Sequence, residues 1–325
     1  LVIMQSLSTE PLPHRPRIVF MGTPDFAVPA LRSLVESGHR VTVVVTQPDR
    51  PRGRGLKPTP SPVKEMAQAQ GIPVLQPESV NRPEVADRIR EGNPDLMVVV
   101  AFGQILKTDL LSMPPWGVLN IHASLLPRHR GAAPIQWAVL EDDRRTGLTL
   151  MQMDEGLDTG PILFQEEVDI REGETAGDLH DRLAEQSGPF LIRSLSSMSR
   201  DGVFPTPQDE ARATYAPKIT REMTLIDWNE PAFKVAALIR ALDPVPGAVT
   251  FLGDRRLKLF SAAVDRTDSG EIAPGMMLEE GEHVVVGTGE GRVSVAEIQV
   301  QGRRRMPVRD FLHGFSIAPG SRLGI

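Results

Sequence analysis

The chain of 325 residues contains no cysteine. Disulfides, thiolate metal sites and a cysteine nucleophile are therefore excluded. Its seven histidines are scattered, without a His-x-His or HExxH spacing, so no bound metal is expected. No apolar run approaches the ~20 residues that a membrane span requires, and no membrane partner is expected. Dinucleotide binding lacks its fingerprint, because "GTPD" at 22–25 is not G-x-G-x-x-G. A serine hydrolase lacks its elbow, because Ser124 is not set in G-x-S-x-G. There is no internal repeat and no low-complexity tract. Residues 1–16 (LVIMQSLSTEPLPHRP) have neither the basic start nor the apolar stretch of a signal peptide. They are expected to form a flexible leader on a cytoplasmic, monomeric protein.

What is present fits a globular protein: 40% hydrophobic and 24% charged residues, with a net charge of −6. That sign argues against a general nucleic-acid coat but leaves room for a local basic patch. The length suits two domains of ~100–200 residues.

The first half alternates strand and helix signals. Arg17–Phe20, Val41–Thr46, Leu96–Ala101, Gly117–His122 and Leu148–Met153 are β-branched or continuous apolar runs. Between them lie Phe26–Glu36, then Val63–Gln70 capped by Ser61-Pro62, and Arg82–Arg90 with Asn81 as its expected cap. This β-α-β rhythm predicts an α/β fold with a doubly wound, mainly parallel sheet over residues 17–200. A helix over Thr175–Met198 is followed by a polar, proline-rich linker, 201–217. After a helix over Ala232–Leu242, short strands are expected at Ala248–Leu252, Arg256–Phe260, Met277–Leu278, His283–Val286 and Arg292–Gln299. Gly253-Asp254, Gly281 and Gly287–Gly291 punctuate them. That spacing predicts a small β-barrel of the OB-like kind over 218–325.

Chemistry concentrates in "VLNIHASLLPRHRGAAPI", 118–135. Residues two apart on a strand share a face, so Asn120 and His122 project together. Ligands of open α/β sheets bind beyond the carboxyl ends of the strands. If strands 117–122 and 148–153 are neighbours, Asp158 in the "MDEGLDTGPI" loop can reach His122. An amide for a developing oxyanion, an imidazole for the proton and a carboxylate to orient it make a set suited to acyl transfer. Read by themselves, Asn120 and His122 could equally be satisfied strand residues, and "GLDTG" a plain turn. Arg128 and Arg130 are expected to brace this turn or neighbouring carboxylates.

"NIHASLLPRHRGAAPI" together with "MQMDEGLDTG" closely resembles the signature of the 10-formyltetrahydrofolate-dependent formyltransferases. "GTPDFAVPAL", "TQPDRPRGRG", "PSPVKEMA" and "VVVAFGQIL" are similar to the branch of that family whose acceptor is initiator methionyl-tRNA. The C-terminal part resembles it mainly in length and in "TYAPKIT" with "IDW". Often the family has an aromatic residue where His129 stands and a glycine at Ala123.

The resemblance implies Asn120, His122 and Asp158 as the catalytic set. It implies a 10-formyltetrahydrofolate site lined by Phe102, Gly103, Gln104 and Ile105. Ser124, Leu125, Leu126 and Pro127 on the turn complete it, with Asp154 and Gly156 on the acidic loop. Protonated His122 and Asn120 would steady the tetrahedral oxyanion while Asp158 orients the imidazole.

For tRNA, the basic loop "RPRGRGLKP" offers Arg50, Arg52, Arg54 and Lys57, with glycines that let backbone approach closely. A second patch is Arg303, Arg304 and Arg305, near Arg309. From residue 206 onward 15 basic and 16 acidic residues nearly cancel, so this part can present a basic face. The alternatives are a formyltransferase of the same fold acting on a small amine, and a non-catalytic tRNA- or folate-binding protein.

Overall fold

The computed structural model describes residues 10–52, 57–267, 270, 272–315 and 320–324. Arg54 and most of the expected leader lie outside them, as do the side chains of Arg52 and Lys57. The chain forms two compact units. The first holds residues up to 131, 147–168 and 180–215; the second holds 132–146, 169–179 and 216 onward.

In chain order the first part supplies β1 (Arg17–Gly22), α1 (Val28–Glu36), β2 (Arg40–Val45), β3 (Arg50–Arg52), β4 (Lys57–Thr59), α2 (Pro62–Ala69) and β5 (Val74–Leu75). It continues with α3 (Pro83–Glu91), β6 (Leu96–Val100), α4 (Thr108–Leu111), β7 (Val118–His122), α5 (Pro134–Leu140), β8 (Arg145–Gln152), β9 (Ile162–Asp169) and α6 (Ala176–Asp201). The main sheet runs β5-β2-β1-β6-β7-β8-β9. β2, β1, β6 and β7 pair in parallel, as does β5 with β2, and β8 turns antiparallel to β7. Every residue of β6 is buried, as expected for a strand covered on both faces. Alternation assigns the faces: Val19, Met21, Val43, Val45, Met97 and Val99 pack with Ile89 of α3 and Leu110 of α4. Each such side chain contributes about 1.5–3 kcal/mol when buried.

Ser61 caps α2, its hydroxyl accepting from the Lys64 N–H at 3.1 Å. Asn81 does not cap α3. Pro83 occupies the first turn and makes Arg82 the N-cap, which leaves the Asn81 amide free for another partner. Helix α6 carries Gly188-Pro189 in its interior. A Cβ on Gly188 would lie 2.2 Å from Ser33 Oγ of α1, so the glycine permits that close approach. Of the leader, Leu12 is buried and its N–H donates to the Met198 carbonyl at 3.1 Å.

The second unit adds α7 (Ala232–Ala241), β10 (Ala248–Leu252), β11 (Arg255–Asp265), β12 (Met277–Glu280), β13 (His283–Gly287), β14 (Arg292–Val300), β15 (Met306–Pro307), α8 (Val308–Gly314) and β16 (Leu323–Gly324). Its sheet is ordered β12-β13-β14-β11-β10-β16, and each neighbouring pair is antiparallel. An antiparallel bridge between Met276 and Arg322 brings the two ends together, so the sheet curls into a small barrel. Its core includes Trp228, Val235, Ile239, Leu257, Leu259, Val286, Val293, Val295 and Phe311. Gly253 opens the two-residue turn between β10 and β11 at φ +56°, which suits a hairpin connection.

Candidate active site

The strand order reverses beside β1: the chain runs outward through β2 and β5, then returns to β6 on the other side. That switch point is where a ligand crevice forms. The strand ends around it are tied together. The Phe102 carbonyl accepts from Thr23 Oγ1 at 3.0 Å and from Gln47 Nε2 at 3.2 Å. Phe102 is buried, and Ala101 and Gly103 both take left-handed backbone, at φ +47° and +83°. The Gln104 amide is spent on the segment opposite, accepting from Val80 N–H at 2.7 Å and donating to the Pro77 carbonyl at 3.2 Å. Asn81, freed from its helix, donates to the Ile105 carbonyl at 2.8 Å and accepts from Lys107 N–H at 2.9 Å. The loop is thus held firmly while Ile105 stands 80% exposed.

At the end of β7 His122 approaches Asp158. His122 is buried; its Nε2 lies 2.9 Å from the His129 carbonyl and its Nδ1 3.6 Å from Asp158 Oδ2. Only the first distance is that of a hydrogen bond. Donation from Nε2–H to a carbonyl leaves Nδ1 as an acceptor in the neutral ring. Asp158 Oδ2 also accepts from Gly131 N–H at 2.9 Å. Asn120 sits half-buried on the same face as His122, and its side chain makes no hydrogen bond among the described residues. The expected adjacency of the two strands is present: β7 pairs with β8, with His122 opposite Thr149.

The turn after β7 is fixed from β8 and β9. Ser124 is fully buried and donates to the Arg128 carbonyl at 2.6 Å. Thr149 Oγ1 donates to the Ser124 carbonyl and accepts from Leu126 N–H, and Gln165 Nε2 donates to the Leu126 carbonyl at 2.9 Å. Leu126 is buried, Leu125 and Pro127 are half-buried, and the Leu126–Pro127 peptide is cis. Asp154 Oδ1 accepts from Gly156 N–H and Thr159 Oγ1, closing the acidic loop. That loop is tied to α4 by a Thr108–Glu155 hydrogen bond. The exposed Leu157 lies on it.

Arg130 braces carboxylates as expected, and more deeply than its sequence position suggests. It is fully buried, with Nη1 and Nη2 on Glu210 at 2.9 and 2.7 Å, and Nε and Nη2 on Gln208 Oε1. The Glu210 carboxylate raises the Arg130 pKa, and Arg130 in turn holds the Glu210 carboxyl below its ordinary range. Both partners lie in the proline-rich segment 201–217. Within the first unit, bridges run from Thr206 to Ile162 and from Tyr215 to Arg130. Gln208, Glu210, Thr149, Gln165 and Asn81 carry no motif, and sequence reasoning missed them.

The candidate RNA-contacting residues divide. Arg50 is exposed on the β3–β4 hairpin, where it pairs with Thr59. Asp49 at the hairpin's base is held by Lys64 and Gln76, each at 2.6 Å, and Lys64 is the chief cause of its lowered pKa. Arg303 and Arg304 are exposed. The guanidinium groups of Arg255 and Arg303 lie 4.7 and 5.3 Å from the Phe315 ring centroid, within cation–π range. Arg305 is committed inside the domain. It pairs with Asp243 at 2.6 Å and with Glu297, and lies over the Phe260 ring. Among the described residues no cluster of three or more histidine, aspartate or glutamate side chains could hold a metal, and no helix is long and apolar enough to cross a membrane.

A doubly wound sheet with Asn120, His122 and Asp158 near one strand end, followed by a small barrel, suits a formyl-transferring enzyme. The formyl transferase family model matches residues 16–195, and the model of its C-terminal domain matches 218–316. The methionyl-tRNA formyltransferase of Citrifermentans bemidjiense is 47% identical, over 95% of this chain and 96% of its own length. That of Geobacter sulfurreducens is 48% identical, over 95% and 96%. Among solved structures, HypX of Aquifex aeolicus in complex with tetrahydrofolic acid superposes with a TM-score of 0.65 at 20% identity. The match covers 94% of this chain and about half (48%) of that protein. A sugar 3N-formyl transferase, WlaRD, gives 0.64 at 17% identity, over 90% of this chain and 100% of its own. These last two share the fold. The chain belongs to the methionyl-tRNA formyltransferase family.

Proposed function

We propose that this protein transfers the formyl group of 10-formyltetrahydrofolate to the α-amine of methionine esterified to initiator tRNA, in the cytoplasm, for translation initiation. The observation that carries the acceptor is near-full-length similarity to methionyl-tRNA formyltransferases across both family domains. A small-amine acceptor gives no role to the Arg50–Thr59 hairpin or to the exposed Arg303 and Arg304.

In this reading the donor lies against the 102–106 loop and the 154–160 loop, where the exposed Ile105 and Leu157 supply apolar surface. The uncharged amine attacks the formyl carbon. As the C–N bond forms, the Asn120 amide donates to the oxygen that gains charge, an interaction stronger in the transition state than before it. His122 takes the amine proton at Nδ1, because Nε2–H is already donated to the His129 carbonyl. The imidazolium so formed stands 3.6 Å from the Asp158 carboxylate, which stabilises it. Collapse then breaks the bond from the formyl carbon to N10 of the folate, and the His122 proton passes to that nitrogen. Protons balance, and no metal is required.

The test is an assay of the purified protein with labelled 10-formyltetrahydrofolate and charged initiator tRNA, reading formylmethionine after hydrolysis of the ester. A parallel assay offers an amino sugar nucleotide and glycinamide ribonucleotide. Formylation of the tRNA alone is expected; transfer only to a small amine, or to nothing, overturns the proposal.

A further inference from the structure

We propose that Gln208 is a positioning residue for Asp158, and that the buried Arg130 keys it in place; this inference rests on the catalytic reading above.

Asp158 sits at φ +54°, a left-handed conformation that a residue with a side chain keeps only where its surroundings over-determine it. Two restraints come from one amide. Gln208 Nε2 donates to the Asp158 carbonyl at 2.8 Å and to the Gly160 carbonyl at 2.7 Å. Both peptide groups bracketing the turn are therefore clamped from outside.

The amide can work only one way round. Its Oε1 faces Arg130 Nε at 3.1 Å and Nη2 at 2.9 Å. A guanidinium can only donate, so the oxygen must face it and the NH₂ must face the two carbonyls. All the donors of Gln208, and both lone pairs of its oxygen, are then used. No polar atom is left for substrate.

Arg130 closes the circuit. Its carboxylate partner Glu210 fixes the far edge of the guanidinium, and its own N–H donates to the Thr214 carbonyl at 2.8 Å. The residue before it, His129, offers the carbonyl that fixes His122 Nε2. The residue after it, Gly131, donates to Asp158 Oδ2. A closed ring thus runs from the Asp158 carbonyl through Gln208, Arg130 and Gly131 back to the Asp158 carboxylate. The side chain of one buried arginine sets the Asp158 backbone, while its flanking peptides set both members of the dyad. Gln208 is 50 residues from Asp158 in sequence and lies in a segment whose composition is that of a connector.

A brace that served only folding would cost stability and leave turnover per folded molecule alone. Positioning predicts a different pattern. Gln208→Met keeps the volume and removes the four hydrogen bonds, and kcat should fall about 10–100-fold, since a misplacement near 1 Å costs about 10². KM for donor and tRNA should change less than about threefold. In an Asp158→Asn background, where the charge being positioned is gone, the same change should cost less than about threefold more, the non-additivity of groups acting as a unit. Gln208→Asn, one methylene short of spanning both partners, carries the same test should the methionine variant fail to fold.

Wild-type kcat in Gln208→Met, a loss confined to KM, or a loss that multiplies in full onto Asp158→Asn would each overturn the inference. A wild-type protein that formylates no amine removes the catalytic reading alone. The ring is then read from the ¹⁵N resonances of His122, assigned by their loss in His122→Asn. Gln208→Met should shift them, and unshifted resonances refute the positioning role.

Discussion

Gly160→Ala is the smallest change that should disable the site without touching a proposed catalytic group. The backbone of Gly160 does not adopt a left-handed φ, so the objection to a side chain is spatial. A Cβ there would lie 1.8 Å from the Gln152 carbonyl oxygen and 3.0 Å from its carbon. Ordinary carbon–oxygen contacts begin near 3.3 Å, so the two must separate by about 1.5 Å. Gln152 is held in register opposite Leu119 of β7, and its N–H donates to the Pro161 carbonyl at 3.0 Å. The loop is the softer partner, and Asp158 lies two residues upstream on it. If the shift takes the carboxylate from 3.6 Å to about 5.1 Å from Nδ1, the attraction to the imidazolium falls by about 1.4 kcal/mol at an effective dielectric near 20. That alone is tenfold in rate, and misorientation of the ring adds to it.

The expected kcat is therefore about 10–100-fold below wild type. It would be measured in single-turnover reactions with labelled donor and charged tRNA, beside a thermal midpoint for each protein. Gly314→Ala makes the same chemical change at a position with nothing within 4 Å and no left-handed φ, and should leave turnover intact. A Gly160→Ala enzyme within threefold of wild type, or a Gly314→Ala enzyme equally impaired, would refute the reasoning.

His122→Ala should lower the chemical rate by ~10²–10⁴, the range for a positioned acid–base group, and adding Asp158→Asn should cost far less than its effect alone; near-normal single-turnover rates would end that assignment. Arg54→Ala should reduce kcat/KM on charged tRNA by ~10–150-fold, the worth of one charge-assisted hydrogen bond, with donor binding unchanged. Repeating that measurement across a salt series separates phosphate contact, whose share shrinks as salt rises, from base contact, whose share persists. Arg305→Met should destabilise the fold by about 2–4 kcal/mol in urea titration, somewhat less than for a fully buried pair. It leaves the Asp243 side chain, 4% exposed, without its guanidinium partner and still accepting from Ser261 N–H. Asp95 is held below its ordinary range, chiefly by hydrogen bonding to Arg17. Its contribution to stability is thus present above about pH 4 and lost as pH falls through the lower folded value; the deficit of Asp95→Asn should vanish in acid melts.

The parallel sheet was legible because β6 is apolar at every position and β2 ends in three buried valines, a pattern suited to strands covered on both faces. The hairpin signals of the barrel were legible for the same local reason, Gly253 being required at its turn. Two elements left little trace. β9 alternates poorly, with seven of its eight residues at least partly exposed. α5 is a seven-residue helix behind "RGAAP", too short to show a period. Asn81 was read as a cap because it precedes a helix; only the position of Pro83 decides that Arg82 takes that place, and only the fold brings the 105–107 loop within reach of the amide.

The candidate site divides along the same line, and the division has a physical cause. Groups that would meet substrate sit at alternate positions of one strand, so Asn120 and His122 could be paired from spacing, and Asp158 from a guess about one strand neighbour. Groups that hold the site in shape answer to no such local rule. Gln208 does its work through both ends of an amide, one facing Arg130 and the other the 158–160 turn, and an amide in a polar segment looks like solvent-facing surface until both partners are placed. The bracing role of Arg130 was legible but its depth was not, because arginine is almost never fully buried unless paired, and its pair lies 80 residues on. Long-range restraint also explains why the site can keep Asp158 in a left-handed turn where a glycine would serve more cheaply. In the proposed mechanism the carboxylate serves His122, and the backbone cost is met by hydrogen bonds from Gln208 to the carbonyls of the turn.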